Sequence, residues 1–260
     1  MTILDTIVEN RRKELNLLRK RTSVRDLEQC ILFNRKAISL SEFLLNKSKT
    51  GIIAEYKRKS PSKGIINSFS EVTEVTSGYF REGASGVSVL TETQYFGGSN
   101  ADLLHTREDS SFPILRTDFI IDEFQVIESK SIGADAILLI AAVLDKREVI
   151  DLARLARSIG LEVLLEIHDE SELDKVNPYI NIIGVNNRNL KTFEVKIDIS
   201  EKLAEKIPYG FLKISESGIS SPQIVKNLRD SGFNGFLIGE KFMCTSDPVS
   251  AFCEFVKDLI

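Results

Sequence analysis

Short apolar runs recur between residues 52 and 238, and many of the segments between them carry apolar positions at helical spacing. The runs are Ile52–Ala54, Val87–Leu90, Ile114–Leu115, Ala136–Ile140, Val163–Ile167, Ile182–Val185, Phe211–Ile214 and Phe236–Ile238. Helical spacing is clear over Asp145–Ile159 and Ser221–Asp230. Because the runs are apolar on both faces, they predict parallel strands that helices cover, and eight such units predict closure into a (β/α)8 TIM barrel. We expect one barrel domain over residues 1–260, since this fold takes roughly 250 residues.

Four glycines mark predicted helix ends. Gly83, Gly133, Gly160 and Gly232 each follow a helical segment and precede an apolar run. Glycine is favoured there because the residue after a helix often takes a left-handed conformation. The glycines therefore support repeated βα units.

The residues before the first strand do not follow this pattern. Apolar positions between residues 3 and 18 lie on one helical face, and Leu40–Leu45 begins another helix with Ser39 or Ser41 as N-cap. We expect residues 1–47 to be a helical extension packed across the barrel. The pattern alone does not decide which end of the barrel it covers.

Composition narrows the class of protein. The net charge is −4, so no basic field favours nucleic acid, and no apolar run approaches the roughly 18 residues of a membrane span. The N-terminus lacks a basic segment followed by an apolar core, which predicts a cytoplasmic protein. Cys30, Cys244 and Cys253 lack metal-ligand spacing, and the chain has two histidines, so we expect free thiols and no metal site.

Polar side chains follow most of the predicted strands. They include Glu55, Lys57, Thr117, Glu166, Asn186, Arg188, Glu216 and Glu240. One such residue is usually a solvated edge or a helix cap. Since the carboxyl ends of barrel strands share one rim, the repetition predicts an active site there.

The first strand offers an acid and a base together. Glu55 and Lys57 are two residues apart, so in a strand their side chains point to the same side. Pro61 ends the strand and fixes a turn that carries Ser60 and Ser62. The alternative is a half-exposed strand end with ordinary charges.

Gly218 and Gly239 follow the seventh and eighth strands, where barrels commonly bind a phosphate with backbone N–H groups. A tight turn between strand and helix explains each glycine equally well. Glu240 would repel an anion unless its side chain turns away.

The motifs at these strand ends resemble those of the indole-3-glycerol phosphate synthase family. They are residues 53–62 (IAEYKRKSPS), 90–92 with 95–99, 183–190 (IGVNNRNL) and 215–219 (SESGI). The resemblance covers nearly the whole chain. It also implies that the helical extension lies over the active-site mouth.

The resemblance implies ring closure of 1-(2-carboxyphenylamino)-1-deoxyribulose 5-phosphate, with loss of carbon dioxide and water, to give indole-3-glycerol phosphate. It implies no metal or organic cofactor. Glu55 and Lys57 would serve the acid and base steps, and Glu166 would be a further acid/base or charge-stabilising group. Asn186 and Glu216 would hold the substrate hydroxyls.

The resemblance also assigns the binding residues. Ser60, Ser217, Gly218 and Gly239 would bind the phosphate. The residues that would pack against the aromatic ring are Phe119, Leu138 and Leu237. Arg188 would order the site through the carboxylates. The implied partner is a phosphorylated small molecule, the implied state is a monomer, and contact with other tryptophan-pathway enzymes stays open.

Position 117 departs from the family pattern. The third-strand motif usually reads LRKDFI, with the lysine regarded as the general acid for ring closure, whereas residues 115–120 read LRTDFI. A threonine hydroxyl carries no charge and is too weak an acid to replace an ammonium. Three interpretations remain: a slow enzyme that uses Lys57 or an ordered water, a binding paralogue without turnover, or an altered sequence. Phosphoribosylanthranilate isomerase or another phosphate-binding barrel is a further alternative.

Overall fold

The computed structural model describes residues 2–108, 110–190 and 192–259. Its barrel strands are β1 (Ile52–Tyr56), β4 (Gly86–Leu90), β5 (Ile114–Thr117), β6 (Ala136–Ile140), β7 (Glu162–Ile167), β8 (Ile182–Asn186), β9 (Leu212–Glu216) and β10 (Gly235–Ile238). They form a closed parallel barrel in which β10 pairs with β1. A hairpin of β2 (Lys59–Ser60) and β3 (Gly64–Ile65) follows β1. The predicted barrel is confirmed.

Helices lie around the outside of the barrel and over its two ends. Those of the described residues are α1 (Ile3–Leu18), α2 (Val24–Glu28), α3 (Leu40–Leu45), α4 (Val72–Arg81), α5 (Asn100–Glu108), α6 (Glu123–Ser131), α7 (Lys146–Ser158), α8 (Asp198–Ala204), α9 (Pro222–Asp230), α10 (Glu240–Met243) and α11 (Pro248–Val256). A 3₁₀ helix over Glu170–Lys175 lies between β7 and β8. No helix among the described residues is long and apolar enough to cross a membrane.

Local signals in the sequence placed several boundaries correctly. The four glycines predicted to end helices all have positive φ angles, as a left-handed helix end requires. The angles are +102° for Gly83 after α4, +90° for Gly133 after α6, +81° for Gly160 after α7 and +87° for Gly232 after α9. Ser39 is the N-cap of α3, with its side chain accepting a hydrogen bond from the backbone N–H of Glu42. The helix α2, the β2–β3 hairpin and the 3₁₀ helix were not predicted.

The helical extension covers both ends of the barrel. Ile3 and Ile7 of α1 line the cavity at the carboxyl ends of the strands. By contrast, Leu40 and Leu44 of α3 pack where β4 and β10 begin: a Cβ at Gly86 would lie 2.7 Å from Leu40 Cδ1. The expectation that residues 1–47 lie over the mouth is therefore right for α1 and wrong for α3, because α3 closes the opposite end.

Candidate active site

A cavity of about 790 Å³ opens at the carboxyl ends of the barrel strands. Every residue that the sequence placed in the site lines it: Glu55, Lys57, Ser60, Thr117, Phe119, Leu138, Glu166, Asn186, Arg188, Glu216, Ser217, Gly218, Leu237 and Gly239. A cavity of this size and concave shape is typical of small-molecule sites. The structure brings the predicted residues together, while their chemical roles stay predictions.

The first strand presents its acid and base as a pair. The Lys57 ammonium forms an ion pair with Glu55 Oε1, and Glu55 is only 4% exposed. Gly239 lies against this carboxylate, since a Cβ there would be 2.5 Å from Glu55 Oε1. Its φ of −127° lies outside the left-handed region. Gly239 is therefore required by this close approach, an explanation that the sequence did not suggest.

Glu216 is buried beside two other carboxyl groups. Burial raises the pKa of Glu216 well above its usual value, and the neighbouring Glu166 and the charge on Glu55 add to that rise. The raised pKa favours the protonated carboxyl group, which is the form that can donate a hydrogen bond. Gly184 in β8 makes room for it, because a Cβ there would lie 2.0 Å from Glu216 Oε1.

Glu166 and Asn186 stand together on neighbouring strands. Asn186 Nδ2 donates to Glu166 Oε2 at 2.9 Å, and Asn186 Oδ1 accepts from the backbone N–H of Arg188 at 3.0 Å. The amide is thereby held between a strand end and the loop that follows it. Its register partner in β9 is Glu216, so these three polar groups share one part of the cavity.

Thr117 is the last residue of β5 and its side chain reaches the cavity. Its Oγ1 lies 2.8 Å from Ser88 Oγ in β4. Ser88 is in turn the register partner of Glu55 in β1. One strand therefore separates position 117 from the Glu55 and Lys57 pair on the inner face of the barrel.

Glu240 does not stand as a lone negative charge. Arg188 Nη2 donates to its carboxylate at 3.4 Å, and Lys63 Nζ lies 3.5 Å from it. The two cations come from different loops, one after β8 and one in the β2–β3 turn. They offset the charge that would otherwise oppose an anion at this rim.

The turn after β9 is strained. Ser217 and Gly218 have φ angles of +65° and +78°, a region that residues other than glycine rarely adopt. A Cβ at Gly218 would lie 2.4 Å from Val195 Cγ1. Glycine is required here by both conformation and space, and non-glycine strain of this kind clusters at functional sites.

Apolar side chains form one wall of the cavity. Phe119, Leu138 and Leu237 belong to a single apolar cluster. Phe96 adds its ring 6.0 Å from that of Phe119, and α1 contributes Ile7. Sequence reasoning missed Phe96, Gly184 and Ser88. A glycine or serine inside an apolar strand was the available signal for the last two.

Comparison with known proteins identifies the family. The model of the family described as indole-3-glycerol phosphate synthase matches residues 4–255. The chain belongs to the indole-3-glycerol phosphate synthase family. An indole-3-glycerol phosphate synthase of Bacteroides thetaiotaomicron is 45% identical over 255 residues, which are 98% of each chain. One of Polaromonas naphthalenivorans is 42% identical over 244 residues, covering 94% of this chain and 90% of the relative.

Solved structures support the fold alone. Tryptophan synthase subunit alpha from Legionella pneumophila matches with a TM-score of 0.62 at 12% identity, over 86% of this chain and 97% of its own. 3-Hexulose-6-phosphate synthase from Salmonella typhimurium matches with a TM-score of 0.63 at 14% identity, over 80% of this chain and 98% of its own.

Family membership decides the class of enzyme. Indole-3-glycerol phosphate synthases are carboxy-lyases of tryptophan biosynthesis, which act on a phosphorylated small molecule, and this chain is assigned to them. The match favours this assignment over the isomerase alternative.

Proposed function

We propose that this chain forms indole-3-glycerol phosphate from 1-(2-carboxyphenylamino)-1-deoxyribulose 5-phosphate with Lys57 as the general acid for ring closure. The observation that carries the proposal is the position of Lys57, paired with the buried Glu55 one strand away from Thr117. An ammonium held there can reach the part of the cavity that the usual third-strand lysine would serve.

The reaction requires two protons to be delivered and one to be removed. A ring carbon attacks the ketone of the substrate, and Lys57 protonates the developing alkoxide. Loss of carbon dioxide follows. The hydroxyl group then takes up a second proton from solvent and leaves as water, while a carboxylate, Glu55 or Glu166, takes the proton from a carbon of the new ring. Glu216 and Asn186 each form a hydrogen bond with a substrate hydroxyl, and the raised pKa of Glu216 favours donation from its carboxyl group.

The ends of the substrate differ in chemistry, as do the walls of the cavity. The 2-carboxyphenyl ring packs against Phe119, Leu138 and Leu237. The phosphate binds at Ser60 and the strained turn of Ser217 and Gly218, with the backbone of Gly239 beside it. The Arg188 and Lys63 cations lie at that rim and favour an anion.

The threonine at position 117, where the family usually has lysine, determines the expected rate of turnover. Thr117 bonds to Ser88 and offers no charge to the ketone. Since a positioned acid contributes about 10² to 10⁴ in rate, we expect slow turnover with substrate binding largely kept. A paralogue that binds without turnover is the outcome that would replace this proposal.

We further propose that the chain forms one domain, that it works as a monomer, and that it acts in the cytoplasm, where its biosynthetic family supports that placement. Contact with other tryptophan-pathway enzymes is a separate question. Light scattering coupled to size-exclusion chromatography tests the oligomeric state: a mass near 29.2 kDa supports a monomer, and twice that mass contradicts it.

Substitution of the carboxylates tests the proposed roles. Glu55→Gln and Glu166→Gln are each expected to lower kcat by roughly tenfold or more, while affinity for the product changes less than about threefold. Glu162→Gln is the matched control, because Glu162 is on the same strand as Glu166 but faces Ser39 and Ser41 at the other end of the barrel. Equal losses in product affinity and kcat would contradict the assignment.

A further inference from the structure

His168 lies just after β7 with its imidazole between two carboxylates. Its Nε2 is 3.4 Å from Glu166 Oε1, and its Nδ1 is 3.5 Å from Glu172 Oε2. The side chain is 13% exposed, and neither buried ring nitrogen has a hydrogen bond of ordinary geometry within the described residues. Buried polar atoms normally have hydrogen-bond partners. A buried imidazole with one carboxylate on each side and no such partner in the described part of the chain therefore calls for an explanation.

The carboxylate behind the ring is fixed in place. Glu172 belongs to the 3₁₀ helix and accepts the backbone N–H of His168 at 2.6 Å. Glu166 faces the ring from the other side and lines the cavity. Its second oxygen accepts from Asn186, so Asn186 and His168 contact different oxygens of one carboxylate.

From this arrangement we infer that His168 is a positioning residue: its imidazole, held by Glu172, contacts the Glu166 carboxylate, orients it and stabilises its negative charge. The inference rests on the proposed role of Glu166. His168 acts through Glu166 and does not itself touch the substrate.

The surrounding charges favour the protonated ring. Burial lowers the pKa of His168, but the contact with Glu172 and the charges on Glu166 and Asp169 raise it more, so the pKa lies above the usual histidine value. On the neighbouring strand β8, Asn186 donates its neutral amide to the Glu166 carboxylate and adds no charge there. Lys175, the nearby cation of the 3₁₀ helix, instead donates to the carbonyls of Ala141 and Leu144.

An NMR titration of the ring tests this placement without any need for turnover. The chain has two histidines, and His105→Gln assigns the remaining resonance to His168. We expect His168 to titrate above about pH 6.5 and its midpoint to fall in Glu166→Gln and in Glu172→Gln. A midpoint at or below 6.5, or one that does not move in Glu166→Gln, would overturn the inference.

A double-mutant cycle tests the effect on the reaction. His168→Gln is expected to lower kcat by about tenfold or more, with KM changed less than about threefold, and to add little to the loss already caused by Glu166→Gln. His105→Gln is the control, because His105 is exposed on α5, and it is expected to leave kcat unchanged. Full addition of the two losses would contradict action through Glu166.

The two proposals fail in different ways. If Glu166→Gln leaves kcat unchanged, the role proposed for Glu166 is wrong, whatever His168 does. If Glu166→Gln lowers kcat but His168→Gln does not, only the inference about His168 fails. If the chain shows no turnover, the titration in Glu166→Gln still decides whether the ring and this carboxylate interact.

Discussion

Arg11 in α1 forms a buried ion pair with Asp118, which directly follows β5 and lies 107 residues further along the chain. Arg116 Nη2 also contacts the Asp118 carboxylate, at 3.1 Å, and Thr91 Oγ1 donates to it. The helix that covers the mouth is thereby attached to the end of β5, where Thr117 and Phe119 flank Asp118. This ion pair explains why α1 stays at the catalytic end.

Arg11→Ala is expected to lower the free energy of unfolding by about 3 kcal/mol, because it leaves a buried carboxylate with one cation fewer. Urea denaturation measures the change. The control is Lys13→Ala on the same helix, whose exposed pair with Glu9 contributes little. Equal stability of Arg11→Ala and the parent chain would show that α1 is held by apolar contacts alone.

The ion pair between Arg11 and Asp118 also predicts that the stability of the fold depends on pH. Burial raises the pKa of Asp118, but Arg11 and Arg116 lower it more, and the folded value lies below the usual one. The stabilisation is therefore present above the unfolded value of about 3.9 and is lost as the pH falls through the folded value. The stability difference between the parent chain and Arg11→Ala should shrink in that acid range. A difference that grows there would contradict the assignment.

Gly218→Ala tests the phosphate-binding turn. The new Cβ meets Val195 Cγ1 at 2.4 Å in a left-handed conformation, so the turn must move. We expect affinity for inorganic phosphate, measured by calorimetry, to fall roughly tenfold or more, the loss typical of a displaced binding group.

Gly210→Ala is the matched control for Gly218→Ala. Its φ of +100° imposes similar backbone strain, but a Cβ there meets nothing within 4 Å. This variant should keep its phosphate affinity. Unchanged phosphate affinity in Gly218→Ala would show that phosphate does not bind at this turn.

Lys57→Ala should lower turnover by about 10²-fold or more, since it removes the ammonium that faces the reacting centre. Lys202→Ala serves as the control, because Lys202 is exposed on α8 and pairs only with Asp198 in the hydrogen bonds described. Full activity of Lys57→Ala would mean that another group protonates the ketone oxygen.

Periodicity along single strands predicted much of the site. The two-residue spacing placed Glu55 and Lys57 on one side, and the strand-end rule gathered residues as far apart as Ser60 and Gly239 around one cavity. These rules work because they depend on the local direction of each strand and on closure of the barrel.

Contacts between strands could not be predicted in the same way. The proximity of Ser88 and Thr117 depends on the register of β4 against β5, and the space that Gly184 leaves for Glu216 depends on that of β8 against β9. The division of the extension between two barrel ends depends on how α1 and α3 dock. No single segment carries that information.

Turnover by the parent chain and by Thr117→Lys, followed by the fluorescence of indole-3-glycerol phosphate, tests the central claim most directly. Position 117 already points into the cavity, so a lysine there should reach the ketone. Thr117→Met is the control, since it adds length without charge. Thr117→Lys should lose some stability, because its ammonium joins that of Lys57.

The account predicts slow but measurable product formation by the parent chain, a rate about 10²-fold or more higher for Thr117→Lys, and no gain for Thr117→Met. Equal activity of the parent chain and Thr117→Lys would show that position 117 does not limit proton transfer. Absence of product from both chains, with the product still bound, would contradict the proposed catalysis and favour a binding protein.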